Sequence, residues 1–143
     1  MLRRIASGFT LVAVVFGLGI VVGQRAAVSA QAKNHIYEIR TYTAAEGKLP
    51  ALLKRFRDYE LPIFEKNGMH AILYSVAAEA PLSENTFVYI LEHEGRDSAR
   101  KGWAGFLADP AFRAAVQESD AGGRAVVKVD TVFVNPTDFS PLR

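Results

Sequence analysis

The chain has 143 residues, no cysteine, and 17 Lys+Arg against 15 Asp+Glu, a formal charge of +2. Half of it is hydrophobic and 22% is charged, a composition that excludes a disordered or fibrous chain. The missing cysteines exclude a disulfide framework, a thiolate zinc site, an iron–sulfur cluster, a cysteine nucleophile and a lipid-modified N-terminal cysteine. So small a charge gives no concentrated basic face for nucleic acid.

Charge and hydrophobicity are unevenly spread. Residues 1–32 hold Arg3, Arg4 and Arg25 and no acid. A short basic start is followed by an apolar run from Ile5 to Val22 and a small, polar stretch ending Ala30-Gln31-Ala32. That order is the pattern of a cleavable signal peptide, with Val28-Ser29-Ala30 as an earlier candidate cleavage site. An uncleaved membrane anchor through residues 5–22 is the alternative, because 18 residues at about 1.5 Å each nearly cross a bilayer. Both readings place the folded part, residues 33–143, outside the cytoplasm, in the periplasm or beyond it. That part carries 14 basic and 15 acidic side chains, so it is close to neutral.

From His35 to Thr43 the chain is β-branched and aromatic, which predicts a strand. Leu49, Leu52, Leu53, Phe56, Ile63 and Phe64 then recur at helical spacing. Pro50 suits the first turn of that helix, whereas Pro62 predicts a kink or break near Glu60-Leu61. Asn67-Gly68 closes it. A second strand over residues 69–77 and a third over 85–93 follow, the third apolar on both faces and therefore central. A helix over 95–109 carries Ala99, Trp103, Phe106 and Leu107 on one side. Asp109-Pro110 restarts a shorter helix with Phe112 and Val116, and after Gly122-Gly123 a fourth strand runs over 124–134.

The order βαββαβ folds with right-handed crossovers into a ferredoxin-like α+β domain, a four-stranded antiparallel sheet with its helices on one face. The other face is left bare, and a second copy of the chain is the expected cover. Alternation divides the first strand into Tyr37, Ile39 and Thr41 against Ile36, Glu38, Arg40 and Tyr42. It divides the fourth into Val127, Val129, Thr131 and Phe133 against Val126, Lys128, Asp130 and Val132. The cleaner apolar sets are expected on the helices, so Glu38, Arg40, Tyr42, Lys128 and Asp130 are placed on the open face. His70 and Tyr74 join them by parity, while the third strand leaves Tyr89 and Ile90 undecided.

This mixed face reads as an ion-pair network that sets the register of a homodimer. The alternative is a polar-lined pocket in which Arg40 or Tyr42 orients a small apolar or aromatic ligand. His70 and His93 read as ordinary polar residues, since no partner stands at metal spacing, and Trp103 reads as helix-face core. No metal is expected, no cofactor is called for, and no GxSxG, phosphate loop or HExxH occurs.

Five blocks carry a family resemblance: Tyr37-Glu38-Ile39-Arg40-Thr41-Tyr42, Leu61 to Gly68, Glu84 to Leu91, Trp103 with Phe106 to Pro110, and Pro136 to Pro141. In order and spacing they resemble the NIPSNAP domain, with Phe139 standing where tyrosine is more usual. The resemblance implies a ferredoxin-like unit that pairs into a dimeric α+β barrel. It supplies no catalytic residues. Animal members are associated with mitochondria, membranes and protein partners. Neighbouring families of the same superfamily include cofactor-independent monooxygenases and haem-degrading enzymes, so an oxygenase or a haem-handling enzyme is the second functional reading, with Arg40, Tyr42, His70 or His93 near the substrate.

Overall fold

The computed structural model describes residues 35–142. The segment read as signal or anchor lies outside the described residues, among which no helix is long and apolar enough to cross a membrane. Strands β1 (Ile36–Ala44), β2 (His70–Val76), β3 (Thr86–His93) and β4 (Val126–Val134) form one antiparallel sheet in the order β2-β3-β1-β4. Helices α1 (Leu49–Arg55) and α2 (Leu61–Lys66) fill the first crossover, and α3 (Arg96–Ala108) and α4 (Pro110–Ser119) the second. This is the expected α+β order, with β3 inside the sheet.

Pro62 does not break the first helix. It has no N–H to give the carbonyl one turn back, and the chain absorbs the loss as a π-helical turn over Phe56–Glu60, closed by the Leu61 N–H bonding the Phe56 carbonyl. Helical structure then continues to Lys66. The wider turn carries Glu60 into the interior, where it is 1% exposed.

Asp109 stops α3 and starts α4, its Oδ1 accepting the Ala111 N–H at 2.8 Å. The core lies between the helices and one sheet face. Leu52, Phe56, Phe64, Met69 and Phe106 pack there on Tyr42, Phe87, Tyr89 and Leu91. Phe64 stacks on Phe106 at 4.7 Å, and Phe56 meets the Phe87 ring edge-on at 4.7 Å. Tyr89 points inward, and Ile90, the next residue along the pleat, faces the open side.

Gly102 sets how closely α3 approaches the turn into β2. A Cβ there would stand 2.6 Å from Met69 Cγ and 3.1 Å from the Asn67 carbonyl oxygen. Gly102→Val is expected to cost about 1–3 kcal/mol by overpacking. A urea melt measures it, and a midpoint equal to the wild type's would show that α3 is free to shift.

Candidate functional site

The strand register decides which side chains share a face. Glu38 lies opposite Leu91 on one side and Phe133 on the other, Arg40 opposite Tyr89 and Thr131, and Tyr42 opposite Phe87 and Val129. All three therefore face the helices, not the open side. The expectation fails because both alternating sets of β1 contain large apolar residues, and because the charges are matched internally. Tyr74 is corrected for another reason. A bulge between Ala71 and Leu73 breaks the parity of β2, so His70 pairs with Glu92 on the open side while Tyr74 pairs with Tyr89 inward.

Lys128 and Asp130 do lie on the open face, opposite Thr43 and Thr41. They bond each other along β4 at 2.6 Å and meet no charge across the ladder. The seven candidates thus fall into an inward group of Glu38, Arg40, Tyr42 and Tyr74, an exposed pair on β4, and His70 near the sheet end. His70 bonds Glu65 at 3.1 Å.

The inward group is joined by His93, which the second functional reading places near a substrate, and by Trp103, which reads as helix-face core. Glu38 Oε2 accepts from Trp103 Nε1 at 2.7 Å and from His93 Nε2 at 2.9 Å, and Oε1 accepts from Arg40 Nη1 at 2.9 Å. The Arg40 guanidinium also lies 4.1 Å from the Trp103 ring centre. Burial alone would raise the Glu38 carboxyl. The His93 and Trp103 hydrogen bonds and the Arg40 charge outweigh it and hold the group below its ordinary value.

An ionised carboxylate only accepts, so His93 Nε2 carries the hydrogen. The other ring nitrogen, Nδ1, is buried with no partner, and so is Arg40 Nε. In the neutral ring Nδ1 is then a bare acceptor held in fixed orientation. A carboxylate that fixes an imidazole tautomer while leaving its second nitrogen free is the arrangement of an oriented base or hydrogen-bond acceptor. Three signals pointed here in the sequence: a Glu-x-Arg pair inside an apolar strand, a histidine ending another, and the chain's single tryptophan.

A second buried polar group lies deeper along the same layer. The Tyr89 hydroxyl donates to Tyr42 Oη at 3.1 Å. Arg55 Nε donates to Glu60 Oε1 at 2.6 Å, and Arg55 Nη1 to Ser119 Oγ at 3.0 Å. Burial pushes the Glu60 carboxyl up to about 7, with the Arg55 charge working against it.

Trp103 also borders a cleft between α3 and β4. Arg96, Ala99, Arg100 and Trp103, spaced as one helical face, and Phe133 of β4 line about 360 Å³. A neighbouring hollow of about 560 Å³ shares Arg96 and Phe133. Trp103 is the link from this cleft to the Glu38 cluster, while His93, 6.2 Å from the Phe133 ring, and Arg40 do not line it. A wider groove of about 690 Å³ opens at the sheet end, and His93 is among the residues that line it. Much of its polar lining is already matched: His35 with Glu92, His70 with Glu65, and Lys66 with Asp109. Among the described residues no group of three or more His, Cys, Asp or Glu could hold a metal ion.

Solved structures with this fold include a NIPSNAP family protein of unknown function from Agrobacterium tumefaciens, at 25% identity and TM-score 0.67, covering 78% of this chain and 96% of its own. An uncharacterised NIPSNAP-like domain protein from Burkholderia xenovorans matches at 21% identity and TM-score 0.66, covering 76% and 90%. The oxygenase SnoaB of Streptomyces nogalater, which works without a cofactor, shares the fold at 14% identity and TM-score 0.50, covering 76% and 98%. No curated protein matches the chain. The family model NIPSNAP matches residues 37–141, nearly the whole of the folded part, and the chain belongs to the NIPSNAP family.

Proposed function

We propose that this NIPSNAP domain is an exported homodimer that binds a small apolar or aromatic molecule in the cleft between α3 and β4. The observation that carries the reading is the aromatic pair Trp103 and Phe133 lining that cleft, with the Trp103 indole fixed from behind by the Glu38 carboxylate and the Arg40 guanidinium. Two rings held at fixed orientation give a flat ligand surfaces to stack on without the cost of ordering them. The homodimer is supported by the apolar open face, where Ile39, Leu73, Val88, Ile90 and Val132 lie together by register; Leu73 and Val132 are 43% and 56% exposed.

Native mass spectrometry of the protein purified from its own host tests all three parts. The expected spectrum shows two copies, a shortened N-terminus and a retained small molecule. A bare monomer beginning at Met1 would overturn the proposal, and a retained protein in place of a small molecule would turn it toward an interaction module.

One observation favours an enzymatic second reading, an oxygenase that needs no cofactor. Glu38 holds His93 as an oriented acceptor, so a weakly acidic C–H or O–H brought to Nδ1 would meet a base with its tautomer fixed. A haemin titration followed at the Soret band, beside oxygen-uptake assays on wild type and His93→Ala, separates this reading, and its haem-handling variant, from simple binding.

A further inference from the structure

We infer that the molecule taken by the α3–β4 cleft is a planar organic anion, a carboxylate or comparable oxyanion on an aromatic body, and that Arg96 selects its charge. This rests on the cleft being the ligand site. Arg96 and Phe133 are common to both hollows, Arg96 being the one charged residue they share, and its guanidinium lies 3.8 Å from the centre of the Phe133 ring. Stacked in that way, the fork of N–H donors stays free at the rim of the ring, where it suits a bidentate oxyanion.

The charge count around the cleft points the same way. Arg40 is matched by Glu38, and Arg100 is paired with Asp97. Glu38 already takes three donors. No acid among the described residues forms an ion pair with Arg96, so the cleft keeps one positive charge unanswered. Its two aromatic walls, Trp103 and Phe133, provide flat surfaces for a ring to stack on. A planar body bearing one negative group answers both features, whereas a cation or a bulky aliphatic chain answers neither.

The chain has one tryptophan, so its indole N–H gives a single side-chain NMR signal reporting on the cleft wall. Full-length ¹⁵N-labelled protein is titrated with 2-naphthoate and with the uncharged 2-naphthamide. Naphthoate is expected to shift the Trp103 signal with an apparent Kd about fivefold or more below that of naphthamide, the advantage shrinking as salt is raised. Arg96→Gln is expected to bring the two affinities together, by weakening naphthoate at least about fivefold more than naphthamide. Equal affinities in the wild type, or a naphthoate preference that survives in Arg96→Gln, would overturn the inference about charge and leave the cleft as the site. If neither compound moves the Trp103 signal, the cleft itself is overturned as the ligand site.

Discussion

Replacing Glu38 by alanine is expected to cost about 3–5 kcal/mol, a large part of the 5–15 kcal/mol that holds a domain of this size together. The carboxylate is 1% exposed and is the shared acceptor for Trp103 Nε1, His93 Nε2 and Arg40 Nη1. Removing it strands a mostly buried guanidinium without its counter-charge and leaves two further donors unanswered. Such losses carry the full desolvation penalty. Equilibrium denaturation measures the cost. The contrast is with Lys128→Ala, which removes the exposed pair to Asp130 and should cost under about 1 kcal/mol. Had Glu38 stood on the open face, its loss would resemble that of Lys128. A Glu38→Ala midpoint close to the wild type's would therefore contradict the inward orientation of β1.

The same contrast shows what the sequence could reveal. Element order, the helix restart at Asp109-Pro110 and the closing glycines follow from local chemistry, and each is found where that chemistry puts it. Gly47, Gly68, Gly122 and Gly123 all adopt positive φ, the conformation glycine tolerates best. The orientation of β1 could not be read the same way. Polarity points its Glu38–Arg40 set outward, but both sets carry aromatic and branched residues and the two charges are matched among inward partners, which alternation does not show.

Its true orientation depends on partners 55 and 65 residues away, His93 and Trp103, which no local pattern connects to Glu38. Tyr74 departs from simple parity through a single bulged position, since one extra residue inverts every side chain after it. Pro62 lies between these cases. Its missing N–H predicted a disturbance at Glu60-Leu61. That the chain would answer with a π-helical turn, and thereby bury Glu60, required the packing of the whole layer.

Glu60 gives the second large effect, in the dependence of stability on pH. Its carboxyl titrates at about 7 in the folded protein against an ordinary value of 4.5. Between these values the folded state holds a proton that the unfolded state has released, so stability falls as pH rises through the window. The contribution is complete below about 4.5 and lost above about 7, and at 1.36 kcal/mol per unit it amounts to about 3 kcal/mol at most. Arg55 bonds Glu60 directly, and the Arg40 charge acts on it from β1. Glu38 acts in the opposite direction and elsewhere on the scale: its folded value is depressed, so its contribution is present above 4.5 and is lost as pH falls below that.

The two groups are therefore separable. Glu60→Gln keeps the shape of the neutral acid and an oxygen to accept from Arg55, but cannot titrate. Urea midpoints measured from pH 4 to 8 are expected to decline between about 4.5 and 7 in the wild type and to run flatter in the variant, with the acid limb unchanged. Identical slopes would mean that Glu60 stays ionised beside Arg55 throughout, and that the π-helical turn buries an ion pair and not a protonated acid.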